Sequence, residues 1–153
     1  MKKILVLGSG RSSSSLIGYL LDNAAAYNWH VTVGDVSMEA AQQRIESLQG
    51  NAVQFDIRDS VASRREVEKA DIVISLLPAN LHPLVARLCV DLNKHFLSAS
   101  YVSDEMNSLH HEAIDKNLLL LNECGLDPGI DHMSAMQVIN KLRATGAKVT
   151  SFE

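Results

Sequence analysis

A glycine-containing turn near the start of the chain constrains the fold more than any other feature. Residues 3–7 read KILVL, which predicts a buried strand, and residues 8–13 continue as GSGRSS. Gly8 permits a tight turn, and Gly10 lets a ligand approach the backbone because neither residue carries a Cβ. Ser13 stands where a third glycine is usual and is small enough for a helix to pack on the strand. The segment predicts the strand, turn and helix of a dinucleotide-binding unit.

A carboxylate follows the second predicted strand. Residues 31–34 form that strand, and Asp35 comes next, about two dozen positions after the glycines. An acidic side chain at this position accepts hydrogen bonds from the ribose of a bound dinucleotide. The spacing therefore predicts that Asp35 binds the adenosine ribose.

Apolar segments and helical patterns alternate along the rest of the chain. The predicted strands are residues 3–7, 31–34, 52–55, 72–76, 96–99 and 118–121, the last of them buried. The predicted helices are residues 13–26, 38–48, 61–69, 81–92 and 104–116. Short strands separated by crossover helices predict an α/β fold with a doubly wound parallel sheet, the Rossmann NAD(P)-binding fold.

The last part of the chain has a different pattern. Asp127 stands where a helix N-cap belongs, and Pro128 suits the first helical position. The predicted helix, residues 128–142, is apolar around most of its circumference, which is typical of a helix inside a larger body. A new strand is predicted at 147–152. We therefore expect an NAD(P)-binding domain over residues 1–127 and, over 128–153, the first helix and strand of a truncated second, catalytic domain.

Composition excludes several classes of function. The chain has 153 residues, 46% of them apolar and 21% charged, with a net charge of −4, so no nucleic-acid partner is expected. No segment resembles a signal peptide or a membrane span, which predicts a cytoplasmic protein without membrane contact. Cys89 and Cys124 lack the spacing of a zinc site or disulfide framework, and no metal site is predicted. Cys89 is expected in the core.

Four segments together resemble one enzyme family. They are VLGSG at residues 6–10, DIVISLLP at 71–78, ASYVS at 99–103 and, most specifically, GLDPGIDH at 125–132. Over essentially its whole length the chain resembles the N-terminal part of saccharopine dehydrogenases of the L-glutamate-forming type. The resemblance implies a Rossmann domain that binds a nicotinamide cofactor, followed by a domain that builds most of the substrate pocket. It implies oxidation of the secondary amine of saccharopine to an imine, which water splits into glutamate and 2-aminoadipate 6-semialdehyde.

The resemblance also implies roles for individual residues. The cofactor would contact Gly8, Gly10, Arg11, Ser12, Asp35, Val36, Asp56, Ile57, Leu77, Pro78, Ser98 and Ala99. Saccharopine would contact Ser100, Tyr101 and Asp127, so Asp127 cannot be both a plain helix cap and a free substrate ligand. Fungal members carry an arginine after the second strand that suits a 2′-phosphate, whereas this chain has Asp35-Val36. NAD is therefore expected rather than NADP. No catalytic acid or base is assigned.

Two other functions remain open from the sequence. A related carboxyspermidine- or homospermidine-type oxidoreductase shares the Asp-Pro-Gly turn, although Ile130 to His132 favour saccharopine. A stand-alone NAD-sensing regulatory domain fits the length but has no need for that turn. Residues 1–153 are expected to be inactive alone and to form a homo-oligomer, because the last helix leaves apolar surface in need of cover. His132 is expected to pack against its helix rather than carry a proton.

Overall fold

The computed structural model describes residues 1–45 and 49–151. The strands are β1 (Lys2–Leu7), β2 (Trp29–Asp35), β3 (Asn51–Gln54), β4 (Ile72–Ser75), β5 (His95–Ser98) and β6 (Leu120–Leu121). The helices are α1 (Ser14–Tyr27), α2 (Met38–Ile45), α3 (Ser60–Lys69), α4 (His82–Asp91), α5 (Asp104–Asn107), α6 (His110–Asp115) and α7 (Ile130–Ala144). Two short 3₁₀ turns, Arg11–Ser13 and Ala79–Leu81, precede α1 and α4. The predicted end of the second helix, at 46–48, lies outside the described residues.

All six strands pair in parallel to form one sheet. Their order is β3-β2-β1-β4-β5-β6, and each consecutive pair of strands is joined through helical segments. The order reverses between β1 and β4, because the chain first builds outward to β3 and then returns to the other side of β1. The predicted doubly wound parallel sheet is confirmed.

Alternating side chains of β1 supply both faces of the sheet. Leu5 and Leu7 belong to one apolar cluster, and Ile4 and Val6 belong to another. This follows from the strand period of two, which sends successive side chains to opposite faces. Helices α1 and α2 cover the Ile4 face, whereas α3, α4 and the α5–α6 segment cover the Leu5 face. Cys89 is fully buried in the cluster that contains Leu5 and is a core residue, as predicted.

The predicted single helix at 104–116 is wrong, because α5 and α6 are separate. Between them Leu109 N–H bonds to the carbonyl of Met106 at 3.1 Å, a tighter turn than that of an α-helix. The Ser108 hydroxyl donates to the carbonyl of Glu105 at 2.6 Å. Serine side chains compete in this way for backbone acceptors, which disfavours continuous helix.

An ion pair joins α4 to α6. The guanidinium of Arg87 donates to both carboxylate oxygens of Glu112, at 2.6 and 2.8 Å, and also to Asp91. Arg87, followed by Lys116, lowers the pKa of Glu112 to about 2. These charges fix α6 against the helix that begins at the sheet's carboxyl edge.

The predicted buried strand at 118–121 is wrong in length and in burial. Only Leu120 and Leu121 pair, and they pair with β5 alone. Leu119 is 52% exposed and Leu121 is 41% exposed, because β6 forms the edge of the sheet.

The start of α7 also differs from the prediction. The helix begins at Ile130 after Gly129, whose φ of +145° suits glycine, so Asp127 is not its N-cap. Asp131 instead accepts a hydrogen bond from Gly129 N–H at 2.8 Å. Asp127 is therefore available for another contact.

Within the described chain, α7 buries none of its residues. Its apolar side chains are largely exposed, as shown by Ile130 at 59%, Met133 at 70% and Val138 at 57%. Residues 147–151 form no strand, which contradicts that part of the prediction, and residue 152 lies outside the described residues. Among the described helices, none is both long enough and apolar enough to cross a membrane.

A matched pair of substitutions tests which aspartate caps a helix. Asp59 Oδ1 accepts hydrogen bonds from the N–H groups of Val61 and Ala62 at the start of α3. Asp59→Ala is expected to lower the free energy of unfolding by about 0.5–2 kcal/mol, because it removes these acceptors. Asp127→Ala is expected to change it by less than about 0.5 kcal/mol. Urea denaturation of both variants measures the difference, and a larger loss in Asp127→Ala contradicts the assignment.

Candidate functional site

The residues predicted to bind the cofactor follow the carboxyl ends of five parallel strands. Leu7 is in register with Gly34 on β2 and with Ser75 on β4, and Ser75 is in register with Ser98 on β5. Since these positions lie side by side, the segments after them leave the sheet at one edge. The edge carries Gly8, Gly10, Arg11, Ser12, Asp35, Val36, Asp56, Ile57, Leu77, Pro78, Ser98 and Ala99. In open α/β sheets, ligands bind in the crevice at this edge where the strand order reverses.

The two glycines after β1 serve different purposes. Gly8 has a φ of +101°, and a Cβ there would lie 2.8 Å from the carbonyl oxygen of Leu76. Its N–H bonds to the carbonyl of Gly34 at 2.8 Å. A Cβ on Gly10 would meet no protein atom within 4 Å, and Gly10 is exposed. Gly8 is required by the fold, whereas the space at Gly10 is open to a ligand.

Asp35 is bonded to the glycine turn. Its Oδ2 accepts from the N–H of Ser9 at 2.8 Å and from the Ser9 hydroxyl at 2.7 Å. Its Oδ1 accepts from Ser37 N–H at 3.0 Å. Partial burial opposes ionisation of Asp35, but the hydrogen bonds from Ser37 and Ser9 outweigh it, so the pKa lies below its usual value. The carboxylate is an anion that orders the turn and retains accepting capacity at Oδ1.

Arg44 is a member of this cluster that the sequence prediction missed. Its Nε donates to the carbonyl of Ser9 at 2.8 Å, so α2 contacts the glycine turn. Arg44 lies in the last turn of α2, nine positions after Asp35. The helical period gives no indication that this one side chain reaches back to the turn.

The end of β3 contributes a second carboxylate. Asp56 Oδ1 accepts from Arg58 N–H at 2.9 Å, and Ile57 packs against the apolar layer beneath. Val36, at 62% exposure, presents its side chain to solvent beside this turn, and its carbonyl accepts from the Gln54 amide at 3.2 Å. The structure therefore places Val36, Asp56 and Ile57, which the family resemblance implies contact the cofactor, at the carboxyl edge.

The segments after β4 and β5 form the other half of the edge. Leu77 packs on the core, Pro78 is exposed, and Ser98 donates to Asn122 at 2.9 Å. Cys124 N–H bonds to the carbonyl of Ser98 at 3.3 Å, which holds the segment after β6 against the end of β5. A Cβ on Gly125 would lie 3.1 Å from the carbonyl oxygen of Ala99, so the glycine permits this close approach.

The residues expected to face the substrate are brought together by a side-chain contact. The Tyr101 hydroxyl donates to Asp127 Oδ1 at 2.7 Å across 26 residues of sequence. Glu123 N–H bonds to the carbonyl of Ser100 at 3.1 Å. Asp127 raises the pKa of Tyr101 above its ordinary value, so Tyr101 is a neutral phenol at neutral pH. The pair presents one carboxylate and one exposed aromatic ring to solvent.

His132 does not pack against its helix, contrary to expectation. It is exposed, and its Nδ1 lies 2.8 Å from Asp131 Oδ1. The hydrogen bond and charge of Asp131 raise the pKa of His132. His132 and Tyr101 meet edge to face, with ring centroids 6.5 Å apart.

A buried histidine is the second group that sequence analysis missed. His82 opens α4 and is 3% exposed, with Nδ1 2.9 Å from Ser75 Oγ and Nε2 3.0 Å from Ser100 Oγ. A single polar residue at the start of an apolar helical stripe was the available signal. Across the described ranges, 1–45 and 49–151, no cluster of His, Cys, Asp or Glu is arranged to hold a metal ion.

Comparison with known proteins identifies the family. The protein-family model described as the saccharopine dehydrogenase NADP binding domain matches residues 4–121. The chain belongs to this family. It is therefore a nicotinamide-cofactor-binding domain, and the open space at Gly10 beside an ordered glycine turn fits such a group.

Relatives of this family domain are considerably longer. An alpha-aminoadipic semialdehyde synthase of Arabidopsis thaliana is 36% identical, over 97% of this chain and 16% of the relative. A saccharopine dehydrogenase (NADP(+), L-glutamate-forming) of Pyricularia oryzae is 36% identical, over 99% of this chain and 33% of the relative. The structure of apo saccharopine dehydrogenase (L-Glu forming) from Saccharomyces cerevisiae superposes with a TM-score of 0.86 at 32% identity, over 99% of this chain and 33% of that one.

Alanine at each glycine of the turn separates folding from binding. Gly8→Ala is expected to destabilise the protein by more than about 1 kcal/mol, because it strains a positive φ and crowds a carbonyl. Gly10→Ala is expected to leave stability within about 0.5 kcal/mol, because the added Cβ meets no protein atom, and to weaken dinucleotide binding, because the Cβ would enter the space proposed for the ligand. Thermal unfolding and calorimetric titration with NADH and NADPH measure the two effects. Full binding by Gly10→Ala contradicts approach of the ligand at Gly10.

Proposed function

We propose that this chain is the cofactor-binding part of a saccharopine dehydrogenase, which oxidises L-saccharopine with NAD(P)⁺ to L-glutamate and 2-aminoadipate 6-semialdehyde. The 2.7 Å contact between Tyr101 and Asp127 carries the proposal. It unites two segments that resemble saccharopine-facing segments and places them after β5 and β6, beside the cofactor edge. The family membership and the names of the relatives support the same reaction.

The proposed reaction is a hydride transfer followed by hydrolysis. The edge that carries Gly8, Gly10 and Asp35 would hold a nicotinamide cofactor, which would supply the acceptor for a hydride from the carbon that becomes the aldehyde. The amine nitrogen would lose its proton to solvent as the C=N bond forms. Water adds to that carbon, and the C–N bond breaks to release glutamate and the semialdehyde. The protein's contribution is to bind and orient the substrate so that this carbon faces the cofactor.

Asp127 and Tyr101 have distinct proposed roles. Among the residues that the structure describes, the exposed Asp127 carboxylate accepts from one side-chain donor, so it can also pair with an ammonium group of the substrate. Tyr101 has a raised pKa and is a hydrogen-bond donor rather than a base at neutral pH. Its ring, 59% exposed, offers a flat surface for the aliphatic part of the substrate.

Substitution of Asp127 tests the substrate assignment. Asp127→Asn is expected to weaken L-saccharopine binding about 10- to 150-fold, because a charged hydrogen bond contributes about 1.5–3 kcal/mol. Asp22→Asn, which makes the same change at an exposed carboxylate on α1, is the matched control and should bind like the parent chain. Backbone NMR shifts in the presence of NADH measure both affinities. Tighter binding of carboxyspermidine than of saccharopine would assign the chain to the related polyamine enzymes.

The cofactor we propose is NAD rather than NADP, on the strength of Asp35. Its lowered pKa keeps it ionised, and the neighbouring Val36 supplies no cation for a 2′-phosphate. A carboxylate that accepts from ribose hydroxyls contributes about 1.5–3 kcal/mol and repels the phosphate. Relatives of this chain are named for NADP(+), so a preference of this chain for NAD would distinguish it from them.

Calorimetric titration with both cofactors measures this preference. NADH is expected to bind at least about 10-fold more tightly than NADPH. Asp35→Asn should reduce this ratio of affinities, because it removes the negative charge but keeps an acceptor for Ser9. Asp56→Asn, the control at the end of β3, should shift both affinities alike. Tighter binding of NADPH would refute the preference for NAD. Arg44, whose guanidinium contacts the same turn, would then be the candidate cation for the 2′-phosphate.

We further propose that residues 1–153 bind cofactor without turning over saccharopine and that they self-associate through α7. Ser100, Tyr101 and Asp127 could touch a substrate from one side only, and positioning accounts for roughly 7–11 kcal/mol of a barrier. The exposed apolar residues of α7 form a surface of the kind that commonly marks interfaces. The cytoplasmic location remains a prediction.

One sample can test both statements about residues 1–153. An assay of NADH formation with saccharopine is expected to show no turnover, and light scattering is expected to show a mass above 16.7 kDa. Met133→Lys should reduce the association and leave cofactor affinity unchanged, because Met133 is 70% exposed on α7. A monodisperse monomer contradicts the association, and measurable oxidation contradicts the one-sided substrate site.

A further inference from the structure

His82 joins the ends of two neighbouring strands through its imidazole. Ser75 is the last residue of β4 and is fully buried, whereas Ser100 follows β5 and is partly exposed. The ring stands between their hydroxyls, 2.9 Å from one and 3.0 Å from the other. Phe96 of β5 packs on it edge to face, with ring centroids 6.4 Å apart. These contacts fix the orientation of the ring.

The imidazole is neutral in this environment. Burial lowers the pKa of His82 below its ordinary value, and its two hydrogen-bond partners are uncharged hydroxyls. Glu105 and Tyr101 are the ionisable groups that line the same groove, which has a volume of about 520 Å³. Neither of them is hydrogen-bonded to the ring among the described contacts. A neutral imidazole has one donor nitrogen and one acceptor nitrogen, so the two serines must play opposite roles.

The buried serine decides which nitrogen carries the proton. Among the residues that the structure describes, Nδ1 of His82 is the one acceptor within hydrogen-bonding distance of the Ser75 hydroxyl. If Nδ1 carried the proton, the hydroxyl proton of Ser75 would be buried without an acceptor, which is unfavourable. Ser75 therefore donates to Nδ1, and the imidazole proton is on Nε2.

This tautomer sets the polarity of Ser100. The Nε2–H donates to Ser100 Oγ, so the serine's own O–H is free to point away from His82. We propose that His82 is a positioning residue, protonated at Nε2, that makes the Ser100 hydroxyl a hydrogen-bond donor toward a carboxylate or carbonyl oxygen of the substrate. The substrate half of this statement rests on the proposed function, because it requires Ser100 to face the amino-acid substrate. The tautomer itself follows from contacts within the chain.

Long-range proton–nitrogen NMR of the ¹⁵N-labelled chain reads the tautomer directly. The expected pattern for His82 is an unprotonated Nδ1 and a protonated Nε2, unchanged across neutral pH. His82→Gln removes that pattern and so assigns it among the six histidines. A protonated Nδ1, a mixture of tautomers, or an imidazolium at neutral pH would overturn the proposal.

Alanine substitution of each serine tests the hydrogen bonds of Nδ1 and Nε2 of His82 separately. Ser75→Ala is expected to shift the Nδ1 resonance and leave Nε2 in place, whereas Ser100→Ala should do the reverse. A general loosening of the structure would move both resonances in both variants. The shifts of Phe96, which packs on the ring, verify that each variant keeps its fold. If Ser75→Ala leaves Nδ1 unshifted, the donation from Ser75 is wrong.

Binding of L-saccharopine distinguishes the two halves of the proposal. His82→Leu is expected to weaken binding about 3- to 10-fold because Ser100 loses its fixed orientation, and His82→Gln should restore most of it because its amide donates near the Nε2 position. Equal weakening by both variants would make His82 merely structural. If the parent chain shows the Nε2–H tautomer but no saccharopine-dependent shift, the proposed function fails while the tautomer stands.

Discussion

The central strand β1 is the element on which the rest of the structure depends. It pairs with β2 on one side and β4 on the other, and its successive side chains enter the two apolar layers. Because β2 and β4 both pair with β1, the register of each half of the sheet is fixed relative to the same strand. The turn after β1 consequently leaves the sheet where strand order reverses, and Gly8 is the residue that permits the turn beneath the Leu76 carbonyl. The geometry of the cofactor edge follows from this arrangement.

The site combines groups of opposite protonation behaviour within one edge. Asp35 is stabilised as an anion by donors from Ser9 and Ser37, which overcome the cost of partial burial. The described hydrogen-bond partners of His82 are the hydroxyls of Ser75 and Ser100, which are uncharged, and burial leaves the imidazole neutral. The anion Asp35 thus lies beside the expected ribose, whereas the neutral His82 lies at another strand end, beside the expected substrate. The difference arises because the end of β2 lies beside the backbone N–H groups of Ser9 and Ser37, whereas the ends of β4 and β5 present serine hydroxyls to His82.

The local patterns of the chain predict elements better than they predict contacts. The sheet was predictable because apolar strands, helical periods and the glycine turn agree with one another at every step from residue 3 to residue 99. The Asp127 cap was mispredicted because an aspartate before a proline has the same local signature whether it caps a helix or contacts a distant tyrosine. Arg44 and His82 were missed for a related reason: their partners lie 35 and 18 residues away or fall on another strand, where periodicity carries no information. Asp35 lies between these cases: its position at the end of β2 was predictable from the strand pattern, whereas its contacts with Ser9 and Ser37 were not.

The brevity of β6 has a consequence for how copies of this chain can meet. A sheet edge with unpaired backbone groups is a template for strand addition, and proteins limit that hazard with short or polar edges. β6 pairs only Leu120, which is partly buried, and Leu121, which is 41% exposed, and the opposite edge, β3, begins with Asn51 and ends with Gln54. Neither edge therefore offers a long apolar strand for open-ended extension into a fibre. The self-association that we propose would instead use side-chain contacts of α7, which can close into an assembly of finite size.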